Sequence, residues 1–160
     1  MNAWSRSPAE SAFSGDVMPF HGPRFRYQVT EVRSSWAAAV VERLNELCAL
    51  PRGWNGYDGL PVSFSVAQFT LSTLNAIMWD DAPIPSIIPC GSGDLQVEWH
   101  LISGDIELHV MGPNEVSAFY EPAGDSGNAI EMEVKADFTA IAGWLRELGE
   151  KRRAIITAAA

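Results

Sequence analysis

Between Arg52 and Lys135 the chain has no lysine and no arginine, although those 82 residues carry twelve aspartates and glutamates. Phosphate contacts require Lys and Arg, so this stretch is excluded as a nucleic-acid-binding surface. The whole chain shares the bias, with a formal charge of −9 over 160 residues and a pI near 4.7. Cysteine is scarce too. Two of them, Cys48 and Cys90, exclude a four-thiolate zinc site. A reduced pair is a simpler reading than a disulfide. No apolar run reaches the roughly 20 residues of a membrane helix. Residues 1–20 lack the basic start and apolar block of a secretory signal. A cytoplasmic protein that touches neither membrane nor nucleic acid directly is expected.

What the chain does have is a core. Apolar residues make up 47% of it and six are Trp, which excludes a wholly disordered chain. One domain is the default at this length. Residues 1–22 are rich in Ser, Pro, Gly and Ala and read as a flexible arm containing His21. A single domain is expected over 23–153, with a tail at 154–160. Phe25, Tyr27 and Val29 alternate with polar residues and suggest an extended segment at 24–30.

Ser34-Ser35 offers an N-cap, and Trp36, Val40, Leu44 and Leu47 recur at helical spacing. Pro51 ends that helix by Leu50. A second helix is expected from Ser63 or Ser65 to Trp79, with Val66, Phe69, Leu74, Ile77 and Met78 near one face. The proline-rich stretch 80–93 reads as an extended crossing.

Period-two alternation then marks four strands. Leu95, Val97, Trp99 and Leu101 form one apolar set, and Ile106, Leu108 and Val110 the next, joined by a Ser103-Gly104 turn. Val116, Ala118 and Tyr120 form a third, and Ile130, Met132 and Val134 a fourth. Asp137 is expected to cap a last helix carrying Phe138, Ile141, Trp144, Leu145 and Leu148, with Lys151-Arg152-Arg153 at its C-terminal end. The fold class is α+β: two N-terminal helices, a four-stranded antiparallel meander and a C-terminal helix, with the helices on one sheet face.

Two segments stand out together: Leu-Pro-Arg-Gly-Trp-Asn-Gly-Tyr-Asp-Gly-Leu-Pro at 50–61 and Gly-Asp-Leu-Gln-Val-Glu-Trp-His at 93–100. They resemble an uncharacterised group of small bacterial and phage proteins with a Gly-Trp-Asp-Gly-Tyr-Gly-Ala-x-Pro-like loop and a later Glu-Trp strand. Asn55 stands where that loop has Asp, and Asp58-Gly59 replaces Gly-Ala. The resemblance spans about residues 45–120. It implies an association with mobile elements in a bacterial host cell, and it implies no activity.

The clearest candidate for chemistry is a repeated Glu-x-His, Glu98-Trp99-His100 and Glu107-Leu108-His109. A turn on Ser103-Gly104 sets His100 opposite Glu107 and Glu98 opposite His109, with Cβ atoms about 4.5–5.5 Å apart. Such a square suits a divalent metal or an acid–base pair. Read plainly, it is two His–carboxylate pairs that soften repulsion on an acidic sheet. The glycine loop at 53–59 lacks the Gly-Lys-Ser/Thr ending of a phosphate cradle. It reads as a turn anchored to the core by Trp54 and Tyr57, or as a recognition loop. Cys48 reads as a core thiol, and no Ser–His–Asp or Cys–His–Asp arrangement is evident.

The expected function is binding, not catalysis, and no cofactor is expected. Asp94, Glu98, Asp105, Glu107, Glu115, Glu121, Glu131 and Glu133 would present an acidic surface to a basic protein, such as a toxin or a nucleic-acid-binding defence complex, as nucleic-acid mimics do. Glu98, Asp105, Glu107, Glu131 and Glu133 would supply the charge. Trp54, Tyr57 and Phe119 would supply apolar anchors. Charge serving solubility alone is the plain alternative. Two further alternatives are a metal-binding or hydrolytic domain on Glu98, His100, Glu107 and His109, and a structural subunit of a larger assembly, with a homo-oligomer also open.

Overall fold

The computed structural model describes residues 34–159. The arm at 1–22, His21 and the extended segment at 24–30 lie outside the described residues. The element order is α1 (Ala37–Cys48), α2 (Phe64–Ile77), β1 (Ser86–Pro89), β2 (Leu95–Leu101), β3 (Gly104–Gly112), β4 (Glu115–Pro122), β5 (Ile130–Val134) and α3 (Thr139–Ala158). The strands form a five-stranded antiparallel meander in chain order. No helix among the described residues is long and apolar enough to cross a membrane.

The fifth strand corrects the expectation of four. β1 lies within the stretch read as a crossing, and it ends on Pro89. Proline is tolerated there because β1 is an edge strand, where an N–H can be missing from the outer side. Arg43 of α1 covers that edge: its Nε donates to the Ile87 carbonyl at 3.0 Å while Nη1 reaches Glu46 at 3.0 Å.

The three helices form one layer on the apolar face. α2 packs on β3, α3 on β3 and β4, and α1 on α2 and β1. The core joins Val40, Leu44 and Leu47 of α1 and Val66, Leu74 and Ile77 of α2 to Leu95, Val97, Trp99, Ile106, Leu108 and Val110 of the sheet, closed by Ile141, Leu145 and Leu148 of α3. Burial of such side chains stabilises by about 1.5–3 kcal/mol each. Tryptophans also pin the loops. The buried Trp99 donates its indole N–H to the Pro83 carbonyl at 2.9 Å, and Trp36 donates to the Trp79 carbonyl at 2.9 Å. Tyr120 stacks on Trp144 with ring centroids 5.1 Å apart.

The helix ends differ in part from the sequence reading. Ser63 caps α2 as expected, its Oγ accepting from the Val66 N–H at 3.3 Å. α1 has no side-chain cap, because Ser35 instead donates both its N–H and its hydroxyl to the Asp80 carbonyl. Phe138, not Asp137, takes the N-cap position of α3. Asp137 still accepts the Thr139 N–H at 2.9 Å, and hydrogen bonds from Thr139 hold its carboxyl below the usual range. α3 continues to Ala158, beyond residue 153, so Lys151-Arg152-Arg153 lie within the helix and its last turn has no basic residue.

The β2–β3 hairpin turns on Ile102-Ser103, one residue earlier than expected, since Leu101 pairs with Gly104. Two ties explain the shift. The buried Ser103 hydroxyl donates to the Leu148 carbonyl of α3 at 2.9 Å. Gly104 has φ +142°, and a Cβ there would lie 2.4 Å from the Glu121 carbonyl oxygen. The glycine therefore serves a close approach between β3 and the neighbouring end of β4. The β3–β4 turn, Pro113-Asn114, has Asn114 at φ 63°, the positions that Pro and Asn favour in a type II turn.

Gly104→Ala is expected to cost about 2–4 kcal/mol, through strain and overpacking together. Gly56→Ala, with φ +82° but open space around the added Cβ, is expected to cost about 1–2 kcal/mol. Urea unfolding of both variants checks this. Equal losses would contradict the close approach.

Candidate functional site

One sheet face packs on the helices, and no described helix covers the other. The register arranges that open face in rows. Ser86, Glu98, Glu107, Phe119 and Glu131 stand side by side across all five strands. Ile88, Gln96, His109, Ser117 and Glu133 form the next row, and His100, Asp105 and Glu121 a shorter third. Six carboxylates thus share one face, while no Lys or Arg lies on any strand or on the connections between them. Glu98 sits directly opposite Glu107, and Asp105 opposite Glu121. Like charges in opposed positions destabilise a sheet.

This register corrects the Glu/His square. His100 faces Asp105 and not Glu107, and His109 faces Gln96 and not Glu98. Moving the turn by one residue changes the cross-strand partners by two positions, which preserves each residue's face. Glu98, His100, Glu107 and His109 therefore do share the open face, as expected, but not as two opposed pairs.

His100 is held at both ring nitrogens. Nε2 lies 3.0 Å from Glu98 Oε2 and Nδ1 2.8 Å from Asp105 Oδ1. Carboxylates only accept, so both contacts are hydrogen bonds only when the ring carries both protons. The Glu98 and Asp105 hydrogen bonds, in that order, raise the His100 pKa, against an opposing effect of burial. Its charge offsets part of the local repulsion. Among the described residues Glu107, Glu121, Glu131 and Glu133 have no ion-pair partner.

The expected aromatic anchors divide. Phe119 stands mid-face between Glu107 and Glu131 and is half-buried, not fully exposed. Trp54 is half-buried and pins its own loop, donating to the Leu60 carbonyl at 2.9 Å. Tyr57 is 85% exposed, so it does not anchor the loop to the core. Asn55 shapes that turn instead, its Oδ1 accepting the Tyr57 and Gly59 N–H groups at 3.0 and 3.1 Å.

Asp94 also departs from expectation. It is buried, not part of the exposed acidic surface. Its Oδ1 accepts the Ser92 N–H at 3.1 Å and its Oδ2 meets His109 Nε2 at 2.5 Å. Cys90 lies beside this pair. The donor atoms of Cys90, Asp94 and His109 all fall within 4.8 Å of one another. Burial, then the charges of Asp94 and Glu98, push the Cys90 thiol up, which disfavours a nucleophilic thiolate. Cys90 and Asp94 bracket one tight loop and are close in sequence, but His109 joins them only through the register. Cys48 and Cys90 are both free, and burial raises the Cys48 thiol as well.

Comparison of the chain with family models, with curated proteins and with solved structures gives no match.

The raised His100 pKa carries a sign. Its contribution to stability is complete below the ordinary value of about 6.5 and is lost as pH rises through the raised folded-state value. His100→Gln is expected to remove that pH slope from the unfolding free energy. Side-chain NMR should show His100 titrating above its ordinary value, with Glu98→Gln lowering it. A His100 that titrates normally would contradict the two-carboxylate arrangement.

Proposed function

We propose that this protein is a non-catalytic binding protein whose open sheet face neutralises a basic protein partner. The observation that carries the reading is the set of three rows: six carboxylates, no Lys or Arg, and Phe119 among them. Solubility is served by mixed charge spread over a surface. Here the charge is segregated. Of the seven Lys and Arg in the described residues, four are on α3, in the helix layer. A molecule polarised in this way steers a cationic partner toward one face.

The chemistry of the occupant follows from the face. Glu131 and Glu133, two residues apart on β5, display charges about 6.7 Å apart along the strand, and neighbouring strands repeat the display at about 4.8 Å. A regular array of fixed negative charge suits a groove that otherwise takes nucleic acid, or the basic surface of a toxin. Phe119 would supply apolar contact amid the charged rows, where aromatic residues contribute most. The loop resemblance at 50–61 favours a bacterial cytoplasmic setting among phage or mobile elements.

The test is capture from nuclease-treated host lysate with wild type and with Glu107→Lys/Glu131→Lys/Glu133→Lys in parallel, across a salt series. The expected result is a basic protein retained by wild type whose affinity falls at least roughly tenfold in the variant and declines steadily with salt. A partner held equally by both proteins, at any salt, would overturn the reading.

A further inference from the structure

The β1–β2 connection, Cys90 to Asp94, is a five-residue loop held from both sides. Within it, the Cys90 N–H donates to the Asp94 carbonyl at 2.9 Å. Outside it, the Leu60 and Ser63 N–H groups donate to the Gly91 and Gly93 carbonyls at 2.9 and 2.8 Å. Gly93 has φ +88°, and a Cβ there would lie 3.2 Å from the Pro61 carbonyl oxygen, so the clamp requires glycine. The loop thereby presents a thiol and a carboxylate in fixed places. His109 meets them from β3, a central strand whose position the whole meander fixes.

We propose that Cys90 Sγ, Asp94 Oδ2 and His109 Nε2 form a binding site for a divalent transition-metal ion of the zinc class. The donor set is one sulfur, one oxygen and one imidazole nitrogen, which suits Zn²⁺ or Co²⁺ and not the all-oxygen preference of Ca²⁺ or Mg²⁺. A thiolate and a carboxylate together balance the charge of a divalent ion. The donors, within 4.8 Å of one another, are close to the roughly 3.4 Å separations of a tetrahedral site with bonds of about 2.0–2.3 Å.

Binding exchanges protons for the ion. The thiol proton is released to solvent, the proton between Asp94 Oδ2 and His109 Nε2 leaves so that the neutral imidazole carries its hydrogen on Nδ1, and that short contact opens by roughly 1 Å to admit the metal between oxygen and nitrogen. The Ser92 N–H stays on Asp94 Oδ1 and orients the carboxylate, as outer-shell donors do. The Asp94 side chain is 11% exposed and that of His109 36%, so the site is closed on the loop side and open on the other. Three protein ligands with one open side leave a fourth position for water or an external ligand. This site differs from the Glu98/His100/Glu107/His109 square: it keeps His109, and it excludes His100, whose two nitrogens are already engaged.

The test titrates reduced, chelator-treated full-length protein with Co²⁺ and then Zn²⁺. The expected result is one equivalent of Co²⁺, a thiolate-to-cobalt charge-transfer band, visible bands of four-coordinate intensity, and displacement by Zn²⁺. Cys90→Ser should abolish the charge-transfer band, and Cys90→Ser and His109→Gln should each weaken Co²⁺ at least roughly a hundredfold. Circular dichroism of the metal-free variants confirms that they are folded. Cys48→Ser and His100→Ala should retain the wild-type spectrum. Absence of stoichiometric binding by folded wild type would overturn the proposal. So would a charge-transfer band that survives Cys90→Ser, or one that Cys48→Ser removes.

Discussion

The register between β2 and β3 is the constraint on which the rest depends. It is set by Ile102-Ser103, and that turn is held by a tertiary contact, the Ser103 hydroxyl on the Leu148 carbonyl. With the pairing fixed, Val97 and Trp99 point into the helix layer while Glu98 and His100 point away from it. The same pairing sets Glu98 against Glu107 and brings His109 to the end of the sheet where Asp94 waits. A slip of one strand by a single residue would exchange the two faces and place the carboxylates in the core.

That constraint turns composition into a surface. An absence of Lys and Arg over 82 residues is only a count until the chain folds. The meander converts it into adjacent rows of acid on a rigid face, and α3 collects much of the compensating positive charge on the helix layer. His100 offsets part of the charge on the face by bridging Glu98 and Asp105. Glu98 still stands opposite Glu107 and Asp105 opposite Glu121, whereas Glu131 and Glu133 face Phe119 and Ser117. Repulsion within these opposed pairs costs stability in the sheet.

Much of the architecture was legible in the alternation of Leu95, Val97 and Trp99 with Gln96, Glu98 and His100, because a half-buried strand writes its faces into the sequence directly. The pairing was not. It depended on a hydroxyl reaching a helix some 45 residues away and on a glycine whose freedom serves the close approach of β3 to β4. β1 was hidden by Pro83 and Pro85 before it and Pro89 at its end, which read as a crossing unless the strand is known to be an edge. Tyr57 was misplaced because an aromatic beside Trp54 reads as a core anchor, whereas the Asn55 side chain and the Trp54 indole hold that loop without it. Asp94 looked like one more surface acid. Its burial follows from the loop clamp at 60–63, a contact between segments about 30 positions apart.

The most direct test of the acidic face as a recognition surface is amide NMR mapping with an arginine-rich peptide at near-physiological salt. Shifts are expected to concentrate at Glu98, Glu107, Phe119, Glu131 and Glu133 and to leave the exposed acids Glu42, Asp58 and Glu150 unmoved. Shifts spread evenly over all of these, or centred on the helix layer, would show that the charge acts as a diffuse property of the chain and would contradict the account.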